Sequence, residues 1–143
     1  MFIKQVSVFV ENQSGKMADV LNILAEHHIG ISALSIADTS DFGVLRLIVE
    51  DAEGTKAILR ENGMIVKTTD VIAIGIENKP GGLAVALTAL KENDVALDYL
   101  YAFIGRGSAG AYVILKTEDQ AKAGEVLEAK GFKTADSKDI FGA

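Results

Sequence analysis

The stretch Val10-Glu11-Asn12-Gln13-Ser14-Gly15-Lys16-Met17-Ala18 returns as Ile76-Glu77-Asn78-Lys79-Pro80-Gly81-Gly82-Leu83-Ala84, 66 residues further on. The register holds beyond it. Leu21 falls on Leu87, Leu24 on Leu90, Ile29 on Val95, Leu34 on Leu100, and Leu47-Ile48-Val49 on Val113-Ile114-Leu115. By the Gly63 and Gly131 pair the offset has grown to 68, which places a small insertion near the second helix of the second copy. Self-similarity at a fixed period outranks local signals when a fold is read. The 143 residues therefore divide into two copies of one unit, residues 1–70 and 71–143.

Within each copy the hydrophobic period switches in the same order. Val6, Val8 and Val10 alternate with Ser7 and Phe9, which predicts a strand. Met17, Val20, Leu21 and Leu24 follow at i, i+3, i+4, i+7, and Leu83, Ala86, Leu87 and Leu90 repeat that helical spacing. Residues 29–37 and 95–104 are apolar-rich runs read as strands, as are 43–50 and 111–116. Second helices are expected over 52–62 and 118–130. Thr117-Glu118-Asp119-Gln120 has the spacing of a capping box, and Gly63 and Gly131 stand where a helix stops. Last strands open at Met64 and Phe132, and Thr68 to Asp70 are read as the join to the strand 71–76. The order strand-helix-strand-strand-helix-strand, twice over, predicts an α+β fold of two βαββαβ units. Each is a four-stranded antiparallel sheet with both helices on one face. A unit this small buries only about 60% of its unfolded surface, so the bare sheet face is expected to want the other copy.

Composition excludes several classes of function. Lys and Arg total 14 against 20 Asp and Glu, a formal charge of −6, which argues against a nucleic-acid partner or an anionic membrane surface. The absence of cysteine removes disulfides, thiolate catalysis and Cys-ligated metal sites. No apolar run reaches the roughly 18 residues of a membrane span, and the start of the chain lacks the pattern of a leader. A cytoplasmic protein is expected.

The turn between first strand and first helix carries the chemistry. Glycines there let a ligand approach the backbone closely, and the free N–H groups of a helix start suit a carboxylate. Asn12 and Asn78 add an amide beside each turn. Pro80 suits the first helical position and Ser14 an N-cap. The same letters are also ordinary helix-start grammar. If the turn binds a ligand, Gly81→Val is expected to block it with little harm to folding.

The segment Glu77-Asn78-Lys79-Pro80-Gly81-Gly82-Leu83-Ala84, its amphipathic helix and Asp94-Val95-Ala96-Leu97 resemble the ACT domain, a small-ligand regulatory module. Residues 34–43 and 99–103 resemble the stand-alone tandem ACT proteins of bacteria. The resemblance implies ferredoxin-like units and an amino-acid effector bound at the interface between them. Its ligand residues, carried over by position, are Asn12, Ser14, Gly15, Lys16 and Met17, with Asn78, Pro80, Gly81, Gly82 and Leu83. The family often places an asparagine at the start of the second strand, where this chain has Gly30 and Ala96. Ser32 and Asp98, two residues on, are the substitutes read here. Where copy one offers Ala33 and Ser35, copy two offers Tyr99 and Tyr101, so the two sites are expected to differ. A site using the tyrosines would favour a bulkier or ring-bearing amino acid, unless both rings pack on the sheet.

Other signals are set aside. Gly105-Arg106-Gly107-Ser108-Ala109-Gly110 has the dinucleotide-loop spacing but precedes a predicted strand instead of a helix. Asp41-Phe42-Gly43 lacks every other kinase element. His27-His28 are adjacent and do not share a helix face, so no metal site is read. No catalytic constellation and no cofactor are expected. The leading expectation is a non-enzymatic amino-acid sensor, as a homo-oligomer; the alternative is a regulatory subunit docking on a biosynthetic enzyme.

Overall fold

The computed structural model describes residues 2–11, 15–38, 42–77, 79–104 and 111–141. They form seven strands and five helices. The chain divides into two compact units: Lys4–Thr69, and Asp70 onward together with the first residues of the chain.

The first unit contains β1 (Phe2–Glu11), α1 (Lys16–Glu26), β2 (Ile31–Asp38), β3 (Phe42–Val49), α2 (Ala52–Glu61) and the start of β4 (Ile65–Ile76), in the sheet order β2-β3-β1-β4. β1 and β3 pair antiparallel from Val6↔Leu47 to Glu11↔Phe42. Val6, Val8 and Val10 face Val20 and Leu24 of α1 and Leu59 of α2, the core that the period-two and period-3.6 patterns predicted. Each such leucine, removed from water, contributes about 1.5–3 kcal/mol.

The second unit repeats the plan with the end of β4, then α3 (Gly82–Glu92), β5 (Leu97–Ile104), β6 (Ala111–Thr117), α4 (Gln120–Ala129) and β7 (Thr134–Ala135), in the order β5-β6-β4-β7. Ile72, Ile74, Val113 and Leu115 pack with Ala86 and Leu90 of α3 and Leu127 of α4. Both units are thus ferredoxin-like, with helices on one face of an antiparallel sheet. The opposite faces are not bare: Gln5, Ser7, Val71, Ala73 and Ile114 are all buried, and the Gln5 amide donates to Ser7 Oγ at 3.2 Å.

Several boundaries differ from expectation, each for a local reason. Thr68 to Asp70 are not a join, because β4 runs unbroken through them. β2 and β5 begin two residues late, at Ile31 and Leu97, because the preceding residues finish the helices. His28 (φ 55) and Asp94 (φ 57) turn left-handed, and the Ile29 and Val95 amides donate back to Leu24 O and Leu90 O at 2.9 and 3.0 Å. That is the Schellman stop. Gly63 and Gly131 do the same for α2 and α4, as predicted.

At the start of α4, Gln120 does reach back to the Thr117 N–H at 2.9 Å, yet the cap is Asp119, which accepts from the Lys122 N–H at 3.1 Å. Finally, the closing strand of the second unit is two residues long and gives way to α5 (Ser137–Phe141). There Asp136 and Asp139 cap each other's N–H groups at 2.9 and 3.0 Å. No described helix is long and apolar enough to cross a membrane.

Candidate ligand-binding site

α1 and α3 start differently from α2 and α4. Asp51 caps α2 by accepting from the Gly54 N–H at 2.9 Å, and Asp119 caps α4 in the same way. The caps of α1 and α3 are Gly15 (φ 86, ψ −11) and Gly81 (φ 87, ψ −10), with no side-chain hydrogen bond to the helix. The residue at the cap of α1 is thus Gly15, while Ser14 lies outside the described residues, and Pro80 lies one residue before the cap of α3 instead of inside the helix. Neither correction disturbs the underlying chemistry. A left-handed glycine leads the chain into the helix, and the first-turn N–H groups are left without a side-chain partner among the described residues.

The second turn shows why its letters are as they are. Gly82 N–H donates to Lys79 O at 3.1 Å, so residues 79–82 form a β-turn closed by a hydrogen bond. Pro80 at its second position and left-handed Gly81 at its third make it type II. The Glu77 carbonyl accepts from the Lys79 N–H at 2.9 Å and sits where a Cβ on Gly82 would stand, 2.5 Å away. Outside the turn, Lys79 Nζ lies 2.7 Å from Glu77 Oε2, and that hydrogen bond holds the Glu77 carboxyl below its usual range and the Lys79 ammonium above its own. The first turn lacks these devices: Gln13 stands in place of Lys79, Ser14 in place of Pro80 and Lys16 in place of Gly82.

Of the residues read as ligand contacts, Gly15 and Lys16 are exposed at the start of α1, and Met17 turns inward against its core, near Gly43. Pro80 and Gly81 are exposed, Gly82 is half-buried and Leu83 packs on the second core. Asn12, Ser14 and Asn78 lie outside the described residues, as do residues 105–110. β6 follows the latter, so no helix stands where a dinucleotide loop would need one.

Ser32 and Asp98 hold equivalent places. Pairing skips from Ile31↔Val49 to Ala33↔Ile48, and from Leu97↔Thr117 to Tyr99↔Lys116, which leaves each as the extra residue of a β-bulge. The simple two-residue alternation used to choose them does not hold through that irregularity. Asp98 is also engaged, 3.4 Å from Lys116 Nζ. Ser35, opposite Arg46, and Tyr99, opposite Lys116, are half-buried, while Tyr101, opposite Ile114, is buried on the sheet. His27 is a helix-end residue, its Nδ1 2.9 Å from Ile23 O. Among the described residues no group of three or more His, Cys, Asp or Glu could hold a metal ion.

One feature was missed by sequence reasoning. The end of β1, the starts of α1, β3 and β4 and the turn after α2 enclose a cleft of about 220 Å³ in the first unit. Glu11 and Lys16 supply its charges, and Phe9, Phe42, Met64 and Ile65 its apolar wall. Ile65 is 69% exposed and Phe42 51%, so two uncovered apolar side chains border the cleft. Residues 62–65 were legible only as a helix stop and a strand start. Nothing in their spacing announced a wall.

Comparison with known proteins follows the same lines. The sequence model of the family described as ACT domain pair matches residues 1–142. A solved structure from Bacteroides thetaiotaomicron is 36% identical, with a TM-score of 0.89 over 100% of this chain and 98% of that one. The ligand-free regulatory subunit of aspartate kinase from Thermus thermophilus shares the fold at 16% identity and a TM-score of 0.61, covering 88% of this chain and 91% of that one. Its counterpart from Thermus flavus is similar at 16% identity and a TM-score of 0.58, covering 88% and 90%. No curated protein matches the sequence.

Proposed function

The chain belongs to the ACT domain pair family, and from that premise we propose that it is a non-enzymatic regulatory protein that binds an amino-acid effector. One observation carries the reading. The chain caps α2 and α4 with aspartates but opens α1 and α3, at positions 66 residues apart, on left-handed glycines with no side-chain cap. A carboxylate would find first-turn N–H groups with no side-chain partner among the described residues, and the positive end of a helix dipole, at both. A side chain in either cap position would compete with it.

The test is a thermal-shift screen of the twenty amino acids at millimolar concentration. A ligand at a hundredfold excess over Kd adds about 2.7 kcal/mol of stability, which moves the midpoint by several degrees. Stabilisation by one amino acid or a few related ones is expected. Stabilisation by none overturns the reading.

A second reading, a subunit that docks on a biosynthetic enzyme, is favoured by one feature of the first unit. Among the described residues β2 pairs with β3 alone, and its Leu34 and Ile36 are 47% and 53% exposed. Such an edge suits strand-to-strand association. Recovery of a homo-oligomer alone from native extract counts against it.

A further inference from the structure

We propose that the cleft in the first unit receives the side chain of the effector, and that the effector is therefore an amino acid with an apolar side chain, branched-aliphatic or aromatic. This rests on the amino-acid-binding reading above and narrows it to one chemical class and one unit.

The argument starts from what the cleft is made of. Beside Glu11, Lys16 and Asn62 the cleft is lined by apolar side chains, and against Phe9, Phe42, Met64 and Ile65 a charged or amide side chain would give up water without gaining a partner. An apolar side chain gains by leaving water, at about 25 cal/mol per Å². At about 220 Å³ the space is below the usual range for drug-sized ligands and suits a molecule of a few heavy atoms. Lys16 and Glu11 bring one cation and one anion to the same cleft, the charge pattern complementary to the carboxylate and ammonium of a zwitterion. Two side chains that fold stability would place inside, Ile65 and Phe42, stand half or more exposed around this space. An apolar ligand covering them accounts for that exposure.

The second unit argues for the same choice by contrast. Its turn is drawn shut, with the Glu77 carbonyl against Gly82 and a type II turn locked by Pro80 and Gly81. The first copy has Lys16 where the second has Gly82, so it carries a side chain at the position where the second needs a bare Cα. One discriminating site per chain follows, in the first unit.

Isothermal calorimetry on the full-length protein tests this, with leucine and phenylalanine as probes and aspartate and lysine as counter-probes, on wild type, Ile65→Asp and Lys16→Ala. The expected result is binding of leucine or phenylalanine at least tenfold tighter than of either counter-probe. Both variants should weaken it tenfold or more, with the unfolding midpoint unchanged because both residues are exposed. Preference for aspartate or lysine, or apolar binding that both variants leave intact, overturns the cleft assignment while the amino-acid-binding reading stands. If none of the twenty amino acids binds wild type, the reading of function falls and takes this proposal with it.

Discussion

Gly82 lies against the backbone carbonyl of Glu77, so that a Cβ at position 82 would stand 2.5 Å from that oxygen. A carbonyl cannot swing aside as a side-chain tip can, and the turn would have to open. Gly82→Ala is therefore expected to destabilise the protein by about 1–3 kcal/mol. Lys16→Ala, at the equivalent residue of the first unit, should stay within about 0.5 kcal/mol. Urea titrations of the two variants decide it. Equal midpoints would mean that the second turn relaxes freely.

Gly15 and Gly81 pose a different problem. An added Cβ meets nothing within 4 Å at either, but φ is +86 and +87. The cost is conformational, about 1–2 kcal/mol for alanine and more for a β-branched residue. The expectation that Gly81→Val spares folding is thus corrected: the space is free and the backbone is not. Gly15→Ala and Gly81→Ala should show similar losses by chemical denaturation, and a loss at one only would show that the other turn adopts a different conformation.

Removing the carboxylates that cap the other helices separates stability from binding. Asp51→Ala and Asp119→Ala should each cost about 1 kcal/mol and leave the affinity for any amino acid unchanged. Gly54 belongs to the same device, since its Cα faces the Asp51 carboxylate so closely that a Cβ would displace it. A fall in affinity in either capping variant would place the ligand elsewhere than the starts of α1 and α3.

Acid should release α5 before the rest of the second unit. The Asp136 N–H donates to Asp139 at 2.9 Å and is the chief reason that the Asp139 carboxyl titrates below its usual range. A carboxyl depressed in the folded state stabilises above its unfolded pKa, and that contribution disappears as pH falls through the folded value. Amide resonances of residues 137–141 should therefore be native at neutral pH and shift on acidification below the carboxylate range. In Asp139→Ala they should be perturbed at every pH. An α5 indifferent to both changes would show that Ile140, buried at 5% exposure, holds it unaided.

The duplicated letters were enough for the fold because the forces that build each element are local and periodic. Val6, Val8 and Val10, and Val20 with Leu24, needed only the spacing of one strand and one helix to be placed inside. The site was less legible. That Gly15 and Gly81 are left-handed caps follows from glycine itself, but Lys16 opposite Gly82 is a single difference whose meaning depends on where a distant carbonyl comes to rest. Ser32 and Asp98 were chosen by a strict two-residue alternation, which a bulge breaks, and bulges leave no reliable letter. The cleft joins residues 9–20 to residues 62–65, a proximity that only folding creates. The α5 helix was readable after all, since Asp136 and Asp139 stand three apart as in a reciprocal cap.

The left-handed residues that end α1 and α3 leave the protein with an untapped reserve. His28 and Asp94 hold φ of 55 and 57 with side chains that glycine would dispense with, whereas the ends of α2 and α4 already use Gly63 and Gly131. His28→Gly and Asp94→Gly should each raise stability by up to about 1 kcal/mol, read as a higher melting temperature. Both positions lie at the far end of their helices from the turns proposed to bind ligand. A thermostable version of this protein is therefore within two substitutions of the natural one, and it would make the better host for measuring weak effectors.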